Sequence, residues 1–397
     1  MATDDLWYLR TRGLDGARLP SKRHGRGKRW RVRYTDPAGN KAERLFDGKR
    51  DAERYDAAMR ADIARGVYIS PALARESVRD YGERWRAALG GREATVDALE
   101  RSLRRHVYPV LGAMAIGEVR RSTIQAWVKG LDHLAPRTVA NVYVHASMLF
   151  RAAALDKVIA ASPCIQIALP PVISDDRVIL TPDQVRTLAE EIRAPYSAAI
   201  YTGAGCGLRF GELVGLELGH VDWLNREITI NQQAVGKRGV GLALGQPKTS
   251  SSYRVVELPK ATAEALARHV ELHPPKPIQV TDATNPRKVH TRTARILFPS
   301  PTGKLLSSTS WTYAWKPAAR AAGIPPGDGF HLLRHFFATT MIFGGANVKD
   351  VQLALGHSKP SITLDTYTGL WPSDEQRTRH LLDAAMGEPF IPPAVGE

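Results

Sequence analysis

Between residues 161 and 180 the chain reads ASPCIQIALPPVISDDRVIL, and no regular element can run through it. Its prolines each remove a backbone donor and fix φ, and the residues between them follow neither a two-residue nor a 3.6-residue period. A fresh helix start follows at TPDQVRTLAEEI, where Thr181 can cap and Pro182 suits the first turn. A chain of 397 residues interrupted in this way is expected to fold as separate bodies on the two sides.

Ahead of the break, residues 77–155 read as helix throughout. SVRDYGERWRAAL, ATVDALERSLRRHV, RSTIQAWVKGL and PRTVANVYVHASMLFRAAAL each place apolar residues three or four apart, the pattern of a helix with one buried stripe. Loops such as YPVLGAMAIGEV join them into an all-α bundle. YISPALARES (68–77) separates the bundle from a smaller N-terminal unit. There WRVRY (30–34) alternates Trp30, Val32 and Tyr34 with Arg31 and Arg33, as a strand with one buried and one basic face does. DPAGN (36–40) supplies a turn, KAERLF (41–46) a return strand, and residues 49–65 a helix stopped by Gly66. Past the break, over 180–385, helices alternate with a strand pair at EITINQQ (227–233) and SYRVVELP (252–259). The Pro/Thr/Lys-rich stretch between HVELHPPKPIQV and ILFPSPTGKLL reads as a surface loop. The expected fold is multidomain: a small α+β unit over 1–70, an all-α bundle over 73–172, and a mixed α/β, mainly helical domain over 177–390.

Charge narrows the partner. Lys+Arg 55 against Asp+Glu 40 leaves +15, an excess suited to a polyanion such as nucleic acid. A membrane is the weaker alternative, because no run approaches the about 18 apolar residues a span needs. MATDDLWYLRTRG also has two acids where a signal peptide has bases, so the expected location is the cytoplasm. Cys164 and Cys206 stand in unrelated contexts and suggest neither a disulfide framework nor a zinc site. The basic excess is uneven: Arg18 to Arg33 holds eight Lys/Arg and no acid. Lys22, Arg23, Arg26, Lys28, Arg29, Arg31 and Arg33 are therefore candidate DNA contacts, with a solvated charge run as the alternative. Arg101, Arg104 and Arg105 fall on one helical face and suit either phosphate contact or plain solvation.

The chemistry lies past the break. In GAGCGLRFGELVGLELGHVDW (203–223), Arg209 and Glu212 stand three apart on a helix and can pair, although a surface pair of that kind contributes little. In HLLRH (331–335), His331, Arg334 and His335 share one helix face. The histidine spacing matches the HExxH zinc motif, but Leu332 stands where that motif needs its glutamate. GQPKTSSSYRVVEL (245–258) sets Lys248 before a serine-rich turn expected to fold two strands back, with Lys237 as a rival nearby. LGHSKPSITLDTYTGL (355–370) adds His357 and Tyr367, the tyrosine on a short helix expected to begin near Ser361 or Thr363. Arginines, histidines, a lysine and a tyrosine, with no carboxylate cluster for magnesium, suit metal-free phosphoryl transfer. Guanidinium forks can hold the charge that builds on the non-bridging oxygens. A phenol, with a pKa of about 10, can attack and later leave. A lysine can protonate the departing 5′ oxygen.

CGLRFGEL, PKTSSSYR, HLLRHFFAT and LGHSKPSITLDTYTGL, in this order between residues 206 and 370, resemble the tyrosine recombinase (phage integrase) family. The resemblance runs from roughly 73 to 385, and the basic N-terminal unit looks like the arm-type DNA-binding domain of heterobivalent integrases. It implies a helical core-binding domain and a catalytic domain that close around duplex DNA as a clamp. Position by position, it implies that Arg209 is the first catalytic arginine, Lys248 the hairpin lysine, and His331 with Arg334 the central His-x-x-Arg pair. His357 then fills a position held by histidine or tryptophan, and Tyr367 is the nucleophile. Glu212 matches an acidic position that supports the site, and His335 one that braces the helix. Pro360 departs slightly from the pattern and is assigned to the loop before the tyrosine helix.

The implied reaction cuts one strand at a time through a 3′-phosphotyrosine and a Holliday junction, in a synaptic homotetramer, without metal, ATP or other cofactor. The implied partners are double-stranded DNA attachment sites, a host DNA-bending protein and a recombination directionality factor, at the nucleoid of a bacterial host. The outcome would be integration or excision of a phage or other mobile element. A C-terminal helix near 374–386 would dock on a neighbouring protomer. Two rivals stand beside this. A type IB-like topoisomerase would use the same covalent step and religate the same strand, and the separate arm-like unit argues against it. A catalytically silent DNA-binding regulator is disfavoured because every candidate catalytic position is filled.

Overall fold

In the computed structural model, residues 2–370 are described except for 13, 38, 40, 92, 173–177, 238 and 368–369. The expected docking helix near 374–386 lies outside the described residues. Helix and sheet are mixed, and the chain divides into two units, Met1–Ser174 and Asp175–Glu397. Among the described residues, no helix is long and apolar enough to cross a membrane.

The first unit opens with short strands: β1 (Ala2–Asp5), β2 (Tyr8–Arg12), β3 (Arg18–Pro20), β4 (Trp30–Thr35) and β5 (Lys41–Phe46). β1, β4 and β5 form an antiparallel sheet with β4 in the centre, while β2 and β3 pair on their own. Val32 and Tyr34 of β4 are buried against Ala52 of α1 (Lys49–Ala64) and against Tyr68, so the alternation in WRVRY is the core pattern of this layer. β1 was not expected, because ATDD carries no apolar alternation. Backbone pairing holds it, and its register sets Asp4 directly opposite Arg31.

A helical bundle follows, with α2 (Val78–Ala87), α3 (Glu93–Ser102), α4 (Tyr108–Leu111), α5 (Arg121–Lys129) and α6 (Pro136–Leu155). Tyr81, Leu103, Trp127, Leu149 and Phe150 lie in its core. Leu103–Val107, between α3 and α4, is π-helical. Pro109 has no N–H to give the carbonyl of Arg105, and the wider turn absorbs that loss. Arg101 and the pair Arg104 and Arg105 therefore straddle a change of helix type instead of sharing one regular α-helical face. Residues 165–168 of the Pro-rich stretch lie along α5, where Arg121 donates to the carbonyls of Ile165 and Gln166, and Gln125 pairs with both backbone groups of Ala168.

The second unit begins with α7 (Pro182–Glu191), α8 (Ser197–Cys206) and α9 (Phe210–Val214). Strands β6 (Val221–Asp222), β7 (Glu227–Ile230), β8 (Gln233–Lys237), β9 (Gly241–Gly245) and β10 (Arg254–Glu257) follow. Beyond them come α10 (Lys260–Leu272), β11 (Ile278–Ala283), β12 (His290–Ala294), α11 (Ser308–Ala321), α12 (His331–Phe343), α13 (Val348–Leu355) and α14 (Pro360–Tyr367). One sheet is ordered β10-β7-β6 and the other β12-β11-β9-β8. Leu188, Ile200, Leu208, Leu213, Phe298 and Leu333 are among the residues of the core beneath them.

Two expectations are corrected here. The pairing of β7 with β10 forms, but the β8–β9 hairpin is inserted between them, so Lys248 lies on the crossing from one sheet to the other and not at a hairpin turn. The stretch expected as a surface loop holds the hairpin β11–β12, which extends the second sheet. Its strand signal was masked because Asp282 occupies a buried position beside Val280, where Arg292 pairs with it and with Glu217.

Candidate active site

Two helix ends converge on one guanidinium. α8 terminates at Gly207 in the left-handed region (φ +61), where a Cβ would come within 2.5 Å of the Phe337 ring. α13 terminates in the same way at Gly356 (φ +65), where a Cβ would lie 2.8 Å from the Ser251 carbonyl oxygen. Arg334 spans the two ends, donating from Nη1 to the Gly207 carbonyl (2.7 Å) and from Nη2 to the Leu355 carbonyl (2.6 Å). Its neighbours do the same on either side. Arg254 Nε donates to the Ala354 carbonyl (2.9 Å), and Arg209 Nη2 donates to that of Gly356 (3.2 Å). Three successive carbonyls at the end of α13 thus each hold a different arginine. The last carbonyls of a helix lack intrahelical partners and carry its partial negative charge, so they fix cations without neutralising them.

One carboxylate joins the cluster. Glu212, 2% exposed, accepts from Arg209 Nη1 (2.7 Å) and from Arg254 Nη2 (3.0 Å). Burial pushes its carboxyl up, and the Arg254 and Arg209 guanidiniums outweigh that and hold it below the ordinary range. Its second oxygen also accepts the Arg209 N–H at the start of α9 (3.0 Å), so the pair expected as a surface contact is a buried anchor. Among the described residues, no carboxylate lies within ion-pair distance of Arg334, which is 1% exposed. Burial and the charge of Arg209 pull its pKa down to about 9, which leaves it protonated at neutral pH.

α12 and α14 bring the remaining groups. The ring of His331, exposed at the start of α12, stands edge-on to that of His335 at 4.7 Å, and His335 Nδ1 lies 2.7 Å from the Tyr367 hydroxyl. On α14, Thr363 and Tyr367 are four apart and share the inner face, both buried. Thr363 Oγ1 is 2.9 Å from His357 Nδ1, so one helix face supports one histidine and meets another. The Tyr367 ring packs with Ala338, Ile342, Val351 and Leu355. Burial, then the charges of Arg334 and Arg209, depress His357 to about 4, so its imidazole is neutral at pH 7. α14 starts at Pro360 and not at Ser361 or Thr363, because proline's fixed φ is already helical at a first position.

Arg209, Glu212, His331, Arg334, His335, His357 and Tyr367 are therefore brought into one neighbourhood. Lys248 is exposed on the segment that runs to Ser252, whose hydroxyl contacts Arg209 Nη1 at 3.3 Å. Arg254 was missed by sequence reasoning. The available signal was an arginine opening the strand that follows the PKTSSS segment.

The N-terminal candidates divide. Arg29 pairs with Asp5, Arg31 and Arg33 pair with Asp4, and Glu43 of β5 lies 3.7 Å from Arg31, so a basic run that holds no acid of its own is answered by acids from β1 and β5. Among the described residues, no carboxylate lies within ion-pair distance of Lys22, Arg23, Arg26 or Lys28, which are exposed between Ser21 and Arg29. In the bundle, Arg104 pairs with Glu100 at 2.8 Å.

Residues 179–372 match the model of the phage integrase family. The chain is 27% identical to an integrase of Mycobacterium phage L5 over 87% of this chain and 91% of the relative. It is 26% identical to a putative prophage phiRv2 integrase of Mycobacterium tuberculosis over 85% and 88%. Among solved structures, the Tn1549 transposon integrase in complex with a circular intermediate DNA superposes with a TM-score of 0.65 at 22% identity, covering 77% of this chain and 99% of that one. A lambda integrase dimer bound to a core site gives 0.52 at 16% identity, covering 92% and 95%.

Proposed function

This chain belongs to the phage integrase family of tyrosine recombinases and is a site-specific DNA recombinase, and from that premise we propose that Tyr367 is its nucleophile and that Arg209, Arg334 and His357 hold the scissile phosphate. The observation that carries this reading is the row of guanidiniums on the end of α13, excess positive charge beside the Tyr367 hydroxyl. Preorganised donors of this kind stabilise charge as it develops, without reorganising during the reaction.

The phenol oxygen attacks phosphorus and the bond from phosphorus to the 5′ oxygen breaks, leaving a 3′-phosphotyrosine and a free 5′-hydroxyl. The phenol proton passes to His335 Nδ1, its hydrogen-bond partner, and Lys248 supplies the proton that the departing 5′ oxygen takes up. His331 and neutral His357 donate further hydrogen bonds to the phosphate, and Glu212 and Arg254 keep Arg209 and the turn at 354–356 in place. The 5′-hydroxyl of a partner duplex then attacks the phosphotyrosine, giving a Holliday junction and finally recombinants.

Under the same reading, residues 1–70 bind arm-type DNA, 73–172 the core site, and 177–390 carry the chemistry. A lambda integrase tetramer bound to a Holliday junction has this fold, with a TM-score of 0.51, and supports a homotetramer here. The +15 charge suits double-stranded DNA attachment sites at the nucleoid of a bacterial cell, with a host DNA-bending protein and a directionality factor as partners for integration or excision of a mobile element.

The test is incubation with nicked suicide duplexes carrying candidate core sites. A denaturation-resistant adduct with the natural chain, absent from a Tyr367→Phe variant that still binds DNA, is the expected result. An adduct that persists in Tyr367→Phe would assign the nucleophile elsewhere.

A further inference from the structure

Resting on the reading that a scissile phosphate sits beside Arg209 and Arg334, we propose that the turn of the β11–β12 hairpin is a second DNA-backbone contact in the catalytic unit, carried by Arg287 and Lys288. The register of the second sheet gives its position. β11 runs parallel to β9, with Asp282 opposite Leu244 and Ala283 opposite Gly245, so both strands leave the sheet at the same end. From that end β9 continues into Gln246, Pro247 and Lys248 and on to Ser252 at Arg209, while β11 enters the turn at 284–289. At about 3.3 Å per extended residue, Lys248 and the turn each reach no more than about 10 Å beyond the shared rung. A duplex with one phosphate at Arg209 has its neighbouring phosphates within such a span, one charge per ~1.7 Å of axis.

The turn is built to hold its shape. Asp282 Oδ1 accepts from the Thr284 N–H (2.9 Å) and from its hydroxyl, Asn285 Oδ1 accepts from the Arg287 N–H (3.0 Å), and the Lys288 N–H closes on the Asn285 carbonyl (3.0 Å). Below it, Arg292 links Asp282, Glu217 and Gln232 in a half-buried network, and those carboxylates hold the guanidinium well above its ordinary pKa. At the tip the character changes. Residues 283–291 contain no acid, Arg287, Lys288 and His290 are exposed, and among the described residues no carboxylate lies within ion-pair distance of Arg287 or Lys288. A solvated loop needs neither this anchor nor this polarity of charge, whereas a phosphate contact needs both.

The test is the salt dependence of binding to a mixed-sequence duplex. For Arg287→Ala/Lys288→Ala, the slope of log K against log salt should flatten by about 1.8, two contacts at ~0.9 each. The control, Lys276→Ala/Arg295→Ala, removes equal charge from the opposite end of the same hairpin and should flatten it by less than half as much. No change in the tip variant, or an equal change in both, overturns the proposal. Tyr367→Phe run alongside keeps the two readings apart, because its binding slope is independent of whether Tyr367 forms the covalent adduct.

Discussion

Arginines gather twice in this protein, and the two gatherings are built differently. In the N-terminal sheet, Arg10, Arg31 and Arg33 meet Asp4, and Arg18 and Arg29 meet Asp5, in ion pairs whose arginine side chains range from 26% to 79% exposed, against 7% for Arg254 in the other gathering. In the second unit, Arg209 and Arg254 meet a single carboxylate, Arg334 has none within ion-pair distance among the described residues, and all three are held by the carbonyls at the ends of α8 and α13. Both leave positive charge in excess, but the first answers every guanidinium with a carboxylate near solvent. The second confines unbalanced positive charge in a place that water reaches poorly, where a phosphate gains most from it. A basic count alone does not separate the two; what separates them is whether the partner is a carboxylate or a helix end.

The sharpest way to break this contrast is to remove the shared carboxylate. Glu212→Ala leaves buried Arg254 without its anion and Arg209 without its anchor, and its expected cost is about 3–5 kcal/mol in chemical denaturation. A cost below about 1 kcal/mol would mean that the carbonyls alone suffice. Acidification probes the same buried charge. His357 is held near 4 when folded, against about 6.5 unfolded. Between those values the unfolded chain takes up a proton that the folded chain refuses. The contribution is therefore complete above about pH 6.5 and drains away as pH falls toward 4. With allowance for partial solvent screening it amounts to roughly 1–2 kcal/mol. His357→Gln should flatten the fall in stability across this window, and an unchanged pH slope would mean that burial and the arginines do not hold His357 neutral there. The smallest effect belongs to the other gathering: Asp4→Ala should cost about 1 kcal/mol or less. A loss as large as that of Glu212→Ala would erase the distinction.

What could be read in advance followed from distance along the chain. Arg209 and Glu212 are three apart, His331, Arg334 and His335 fall on one helical face, and local spacing suffices to pair or align them. Arg254 reaches Glu212 across 42 positions and Ala354 across 100, and SYRVVEL offered only its alternation. Asp4 and Asp5 were overlooked as partners because they answer the basic run from outside it, on a strand with no apolar pattern. The β11–β12 hairpin was hidden by a buried Asp282, whose partner Arg292 is ten residues on. His335 was expected to brace its helix. Its hydrogen bond to Tyr367 spans 32 residues and depends on how α14 returns beneath α12, which no local pattern encodes.

Guanidiniums fixed on the end of α13 are expected to act on the phosphate as it reacts, and not merely on DNA as it binds. Single-turnover cleavage by Arg209→Ala at saturating suicide duplex tests this most directly. The expected rate is about 10²–10³-fold below that of the natural chain, with DNA affinity nearly retained. A rate equal to that of the natural chain once the duplex saturates, with the loss confined to affinity, would contradict it.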